Sequence, residues 1–176
     1  FTDVSMPDLI IALPELTVLD IWAPTLGESG CKEILKLKNL THLNVRNAPG
    51  INDEWMRLMA EHLKQLKYLH IGECVAISEI GYKYLGELPL LEELIVGASG
   101  KVELALNAIS SVKPRNLKKL EIFACGWFVD TCIPPLSSLK SQLEELRFDS
   151  LTAPLSQAMN QLYNLKRIII TDIFHM

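Results

Sequence analysis

Leu66-Lys-Tyr-Leu69-His-Ile71 decides the fold, because the same phrase occurs seven times along the chain. Its form is L-x-x-L-x-φ, where φ is Ile, Val or Phe. The other copies are Leu16-Thr-Val-Leu19-Asp-Ile21, Leu40-Thr-His-Leu43-Asn-Val45, Leu91-Glu-Glu-Leu94-Ile-Val96 and Leu117-Lys-Lys-Leu120-Glu-Ile122. Leu143-Glu-Glu-Leu146-Arg-Phe148 follows, and Leu165-Lys-Arg-Ile168-Ile-Ile170 closes the series. Successive anchor leucines are 24, 26, 25, 26, 26 and 22 residues apart. A near-constant period of that length is the signature of a stacked array of like units.

Within the phrase, alternate residues such as Leu19 and Ile21 point to one face of a short strand. One unit cannot bury that face alone, but stacked units make a continuous parallel sheet with a shared core. The return half of several units reads as helix. Asp53-Glu-Trp55-Met-Arg-Leu58-Met59-Ala-Glu-His-Leu63 has apolar residues at helical spacing, with Asp53 a candidate N-cap. Ser78–Leu85, Leu104–Ile109 and Ser156–Leu162 continue the pattern. Residues 1–176 are therefore expected to form one α/β domain.

The chain resembles the leucine-rich-repeat family over nearly its whole length. The resemblance implies a horseshoe-shaped solenoid of about seven repeats, with a parallel sheet on the concave side and helices on the convex side. Its strands would begin near residues 16, 40, 66, 91, 117, 143 and 165. The loop Val45-Arg-Asn-Ala-Pro-Gly-Ile51-Asn-Asp53 is similar to the C-P-x-I-T-D turn of cysteine-containing repeats, with Ala48 in place of Cys. Cys74-Val-Ala-Ile77-Ser-Glu79 is a looser copy that keeps the Cys, while the fourth to sixth repeats fit the pattern poorly. That class is best known from F-box proteins, which present substrates to cullin-based ubiquitin ligases. In leucine-rich repeats the site of Cys74 and Cys125 holds Asn or Cys, turned inward to bond backbone groups of the loop.

At 49% hydrophobic, the 176 residues can bury a sizeable core, which excludes a disordered chain. The net charge of -4 and the scattered Lys and Arg give no basic stripe for nucleic acid. No apolar run is long enough to span a bilayer, and no segment near Phe1 has the charged, apolar and small-residue pattern expected of a secretory signal. Phe1 to Glu15 reads as the back half of a repeat whose strand is missing, and the chain is expected to be a piece of a longer protein. Cys31, Cys74, Cys125 and Cys132 show no paired-cap pattern; reduced thiols in a cytoplasmic or nuclear protein are the expectation. The sequon Asn39-Leu-Thr41 argues weakly for an extracellular receptor instead.

Residues between the phrase's apolar positions project from the concave face and form three columns. Val18, His42, Tyr68, Glu93, Lys119, Glu145 and Arg167 make the first. Asp20, Asn44, His70, Ile95, Glu121, Arg147 and Ile169 make the second, and Trp22, Arg46, Gly72, Gly97, Phe123, Asp149 and Thr171 the third. Trp, Tyr and Arg are the types enriched in binding hot spots. Trp22, His42, Asn44, Arg46, Tyr68, His70 and Phe123 are accordingly the expected contacts for a protein partner; the bland reading is that they merely cover the sheet. The later units differ: Lys67, Glu92-Glu93, Lys118-Lys119, Glu144-Glu145 and Lys166-Arg167 alternate in sign, as a register-fixing ladder would. Of Trp127 and Phe128, before Pro134-Pro135, at least one is expected to pack under a long loop in place of a missing helix, with a partner anchor on the rim as the sharper alternative.

Catalytic, metal and cofactor residues are not expected. His42 and His70 lack a third ligand, Cys125 and Cys132 fit no standard zinc spacing, and there is no phosphate loop or nucleophile elbow. Two function classes follow: substrate recognition in an F-box-type ubiquitin ligase, or a non-enzymatic scaffold, assembly or regulatory factor unrelated to ubiquitin.

Overall fold

Each leucine phrase becomes a strand that begins two residues after its anchor. In the computed structural model, which describes residues 2–97, 102–123, 133–148 and 162–171, the strands are β1 (Val18–Asp20), β2 (His42–Asn44), β3 (Tyr68–His70), β4 (Glu93–Gly97), β5 (Lys119–Phe123), β6 (Glu145–Phe148) and β7 (Arg167–Ile170). They form one seven-stranded sheet in sequence order, every adjacent pair parallel. The helices between them are α1 (Ser5–Ala12), α2 (Glu28–Ile34), α3 (Asp53–His62), α4 (Glu79–Lys83), α5 (Val102–Val112) and α6 (Ile133–Ser138). A 3-10 turn, Tyr84–Glu87, extends α4, where a continuous helix to Leu85 is expected from the sequence.

The joint between neighbouring strands is the same six times. Thr17 O accepts both Thr41 N and His42 N, at 2.8 and 3.1 Å, and Thr41 O accepts Lys67 N and Tyr68 N in the same way. Lys67, Glu92, Lys118 and Glu144 carbonyls repeat the pattern to the last strand. Identical phrases thus take identical backbone geometry, and the register aligns Leu19, Leu43, Leu69, Leu94, Leu120, Leu146 and Ile168 in one row.

The row's side chains meet those of the helices in one core that runs from Met6 to Leu162. Leu19 to Leu146 along this row are buried, while Ile168 on the end strand is 42% exposed. The polar residues on the opposite face are mostly uncovered, so the helices lie on one side of the sheet and a free face on the other.

Polar residues lock the units together at the helix starts. The N-cap of α3 is Asn52, whose side chain accepts the Trp55 N–H at 3.0 Å, and not Asp53 as the sequence suggests. Asp53 instead accepts from the Ser78 backbone N–H at 2.7 Å and its hydroxyl at 2.6 Å, bracing the N-cap residue of α4. Asp3 does the same to Gly27, the N-cap residue of α2, accepting its N–H at 2.7 Å. The bond that Ser29 donates to Asp3 holds the Asp3 carboxyl below its ordinary range.

The fifth unit also departs from expectation. Pro134 and Pro135 do not end a helix-free loop but lie in the first turn of α6, where a missing N–H costs nothing. Trp127, Phe128, Cys125, Cys132 and Asp149 lie outside the described residues, as does the expected helix over 156–162 apart from Leu162, which is buried.

Two cysteines can be placed, both free and buried. Cys74 Sγ donates to the Val45 carbonyl at 3.4 Å, which ties its turn to the preceding unit. Burial pushes the Cys74 thiol up to about 11 and the Cys31 thiol to about 12, so both stay protonated at neutral pH.

Candidate binding face

Parallel pairing with an unbroken register puts the three sequence columns side by side. The first column is paired residue for residue from Val18 to Arg167 and the second from Asp20 to Ile169. Beyond β1 to β3 the ladder continues through Ala23 N to Arg46 O (3.1 Å), Asn47 N to Gly72 O (2.8 Å) and Glu73 N to Gly97 O (2.9 Å). Trp22, Arg46, Gly72, Gly97 and Phe123 therefore occupy successive places of the third column.

Of the seven side chains expected to bind a partner, six fall on or just past β1–β3. Trp22 is 60% exposed, and His42 and Arg46 are also exposed. The His42 imidazole stacks on the half-buried Tyr68 ring, with centroids 5.8 Å apart and planes 24° from parallel. His42 Nδ1 is 2.9 Å from Thr41 Oγ1, which fixes the ring's rotation. Burial first, and then Glu93 and Asp20, raise the Tyr68 phenol, which keeps it a neutral hydrogen-bonding group.

Asn44 and His70 differ from the other four, being only 7% and 8% exposed. Asn44 Nδ2 donates to Asp20 Oδ1 at 2.8 Å, while Asn44 Oδ1 accepts the Arg46 N–H at 3.2 Å, so it braces its neighbours. His70 lies beneath Phe123, the seventh side chain, which meets it edge-on with centroids 5.6 Å apart and planes at 89°. Phe123 reaches across β4 because the intervening positions are glycines. A Cβ on Gly72 would stand 2.2 Å from Phe123 Cζ, and one on Gly97 would stand 2.1 Å from the Phe123 carbonyl oxygen.

The second half of the face is the charge ladder. Lys119 pairs with Glu93 at 3.2 Å, Lys166 with Glu144 at 2.9 Å and Arg167 with Glu145 at 3.3 Å. Arg147 bridges Glu145 at 2.9 Å and Glu121 at 3.5 Å. The exposed pairs contribute little each, about 0–1 kcal/mol, and serve register more than stability.

Two connected clefts follow the leading ends of the strands. One of about 230 Å³ is lined by His42, Lys67, Tyr68, Glu92, Glu93, Lys118 and Lys119. The next, of about 370 Å³, shares Lys118 and Lys119 and continues to Lys166 and Arg167. The join between the aromatic half and the ladder is not apparent from the sequence columns, because Lys67, Glu92 and Lys118 precede the strands. A larger depression of about 530 Å³ lies on the helix side between Ile80 and Val112 and contains none of the expected residues.

Among the described residues, no group of three or more His, Cys, Asp or Glu could hold a metal ion, and no helix is long and apolar enough to cross a membrane. No protein-family model matches the chain, and no curated protein shows significant similarity to it.

Proposed function

We propose that this chain is a leucine-rich-repeat solenoid that binds a protein partner on its sheet face, with the contact centred on β1–β3. The observation that carries the reading is the cluster of Trp22, Arg46 and the stacked His42–Tyr68 pair on adjacent strands. Trp22 is 60% exposed, and Trp, Tyr and Arg dominate binding energy where they gather. The repeat reading is supported by the sixfold strand joint and by the inward Cys74 thiol on the Val45 carbonyl. That cysteine turn also favours the F-box-linked subfamily, in which the partner would be a substrate delivered for ubiquitination.

The test is proximity labelling with the full-length protein, run beside a Trp22→Ala/Tyr68→Ala variant. A partner labelled by the first and lost with the second supports the face; equal labelling removes it. Capture of a cullin adaptor by the full-length protein separates the ubiquitin reading from a plain scaffold.

A further inference from the structure

Among the described residues, His70 Nε2 is a buried polar atom with no hydrogen-bond partner. Leaving such an atom unpaired costs about 1–3 kcal/mol, and a cost of that size in a binding face calls for a reason. The atom is directed at Gly72, since a Cβ there would stand 2.9 Å from it, and the ring of Phe123 closes over the same spot. Gly72 and Gly97 make a side-chain-free floor between Arg46 on one side and the root of Phe123 on the other. Arg46 is exposed and forms no ion pair among the described residues.

We propose that the glycine floor between Arg46 and Phe123 is a latent subsite for a carboxylate side chain of the protein partner. The carboxylate takes the place of the Phe123 ring above Gly72. One oxygen accepts from His70 Nε2–H and the other from the Arg46 guanidinium. This rests on the partner-binding reading above and adds to it the chemistry of one contact. Charge complementarity favours an acidic group: among the described residues, Arg46 and Asp20 are the charges that act on His70, and Asp20 Oδ1 is already engaged with Asn44. Burial and then Arg46 push the His70 pKa down to about 4, against a smaller opposing pull from Asp20. The ring is therefore neutral when the floor is covered, and an arriving carboxylate would draw a proton onto it. Phe123 is half-buried, so its outer edge is already in solvent.

Acetate tests the subsite without the partner. His70 ring resonances would be followed by NMR during an acetate titration at fixed ionic strength, with chloride as the balancing anion, in the Phe123→Ala protein. The expected result is a saturable shift of the His70 signals, a His70 pKa raised by roughly one unit or more, and acetate affinity roughly tenfold weaker when Arg46→Ala is added. A Phe123→Leu protein, which keeps an apolar cover, should show the same effect at smaller amplitude and serves if the alanine variant fails to fold. Unmoved His70 signals in the folded variants, or an acetate affinity unchanged by Arg46→Ala, would overturn the proposal. Because acetate is read on the isolated chain, such a failure leaves the partner-binding reading standing.

Discussion

Phe123 on β5 reaches over β4 to lie edge-on against His70 on β3, with ring centroids 5.6 Å apart. Side chains on a sheet ordinarily meet those of the adjacent strand, about 4.8 Å away. This pair skips a strand because Gly97 and Gly72 leave nothing in between.

Gly97 is therefore the most sensitive position on the face. Its φ of 150° lies where L side chains are strained, and a Cβ would strike the Phe123 carbonyl. Gly97→Ala should cost about 1–3 kcal/mol or more in urea unfolding. It should also change the Phe123–His70 contact, seen as a shift of the His70 ring signals.

The same contact makes stability depend on pH. His70 titrates near 4 when folded, against an ordinary value of 6.5, so the unfolded chain binds a proton first. Its contribution is fully present above pH 6.5 and is lost as pH falls towards 4, a span of roughly 3 kcal/mol at most. Exposed carboxylates such as Glu144, held low by the bond from Lys166, add their own acid sensitivity. The difference between wild type and His70→Leu isolates the histidine. Unfolding free energy should drop more steeply from pH 7 to pH 4 in the wild type; parallel curves would show that His70 is not buried as described.

Asp53 and Asn52 offer a paired comparison. Asn52→Ala removes the cap bond to Trp55 and an exposed bond to Glu28 on the preceding unit, and should cost about 1 kcal/mol. Asp53→Ala removes two bonds to Ser78 across units and should cost more, about 1–3 kcal/mol. Equilibrium denaturation ranks them, and the reverse order would restore Asp53 as the cap.

Trp55 ties α3 to α2 from within the core. It is 2% exposed, and its Nε1–H donates to the Cys31 carbonyl at 2.8 Å. Trp55→Phe keeps most of the apolar volume but orphans that carbonyl, at about 1–3 kcal/mol. Trp55→Ala adds a cavity and should cost about 3–5 kcal/mol by the same measurement.

The strands, their parallel order and their register were legible in the leucine phrase, because a period of two fixes which side chains share a face. The columns from Val18 to Arg167 and the alternating ladder followed from that register alone. Helix boundaries were less legible. Asn52 and Asp53 are both competent caps, and only the position of Ser78 in the next unit shows which one is occupied elsewhere. The α6 helix was missed because its two prolines read as a loop, although the first helical turn tolerates them. The burial of His70 could not be seen in its own column. It depends on a side chain two strands away and on glycines that carry no pattern of their own.

The most direct test of the account is calorimetric titration of the partner, once labelled and purified, into three proteins. The wild type sets the reference, Trp22→Ala/Tyr68→Ala disrupts the aromatic cluster, and Lys166→Ala/Arg167→Ala disrupts the far end of the ladder. The account expects the aromatic variant to lose about 2 kcal/mol or more of binding, roughly 30-fold in Kd, with its fold intact. It expects the ladder variant to stay within about threefold of wild type. Full affinity in the aromatic variant, or a loss confined to the ladder variant, would contradict a contact centred on β1–β3.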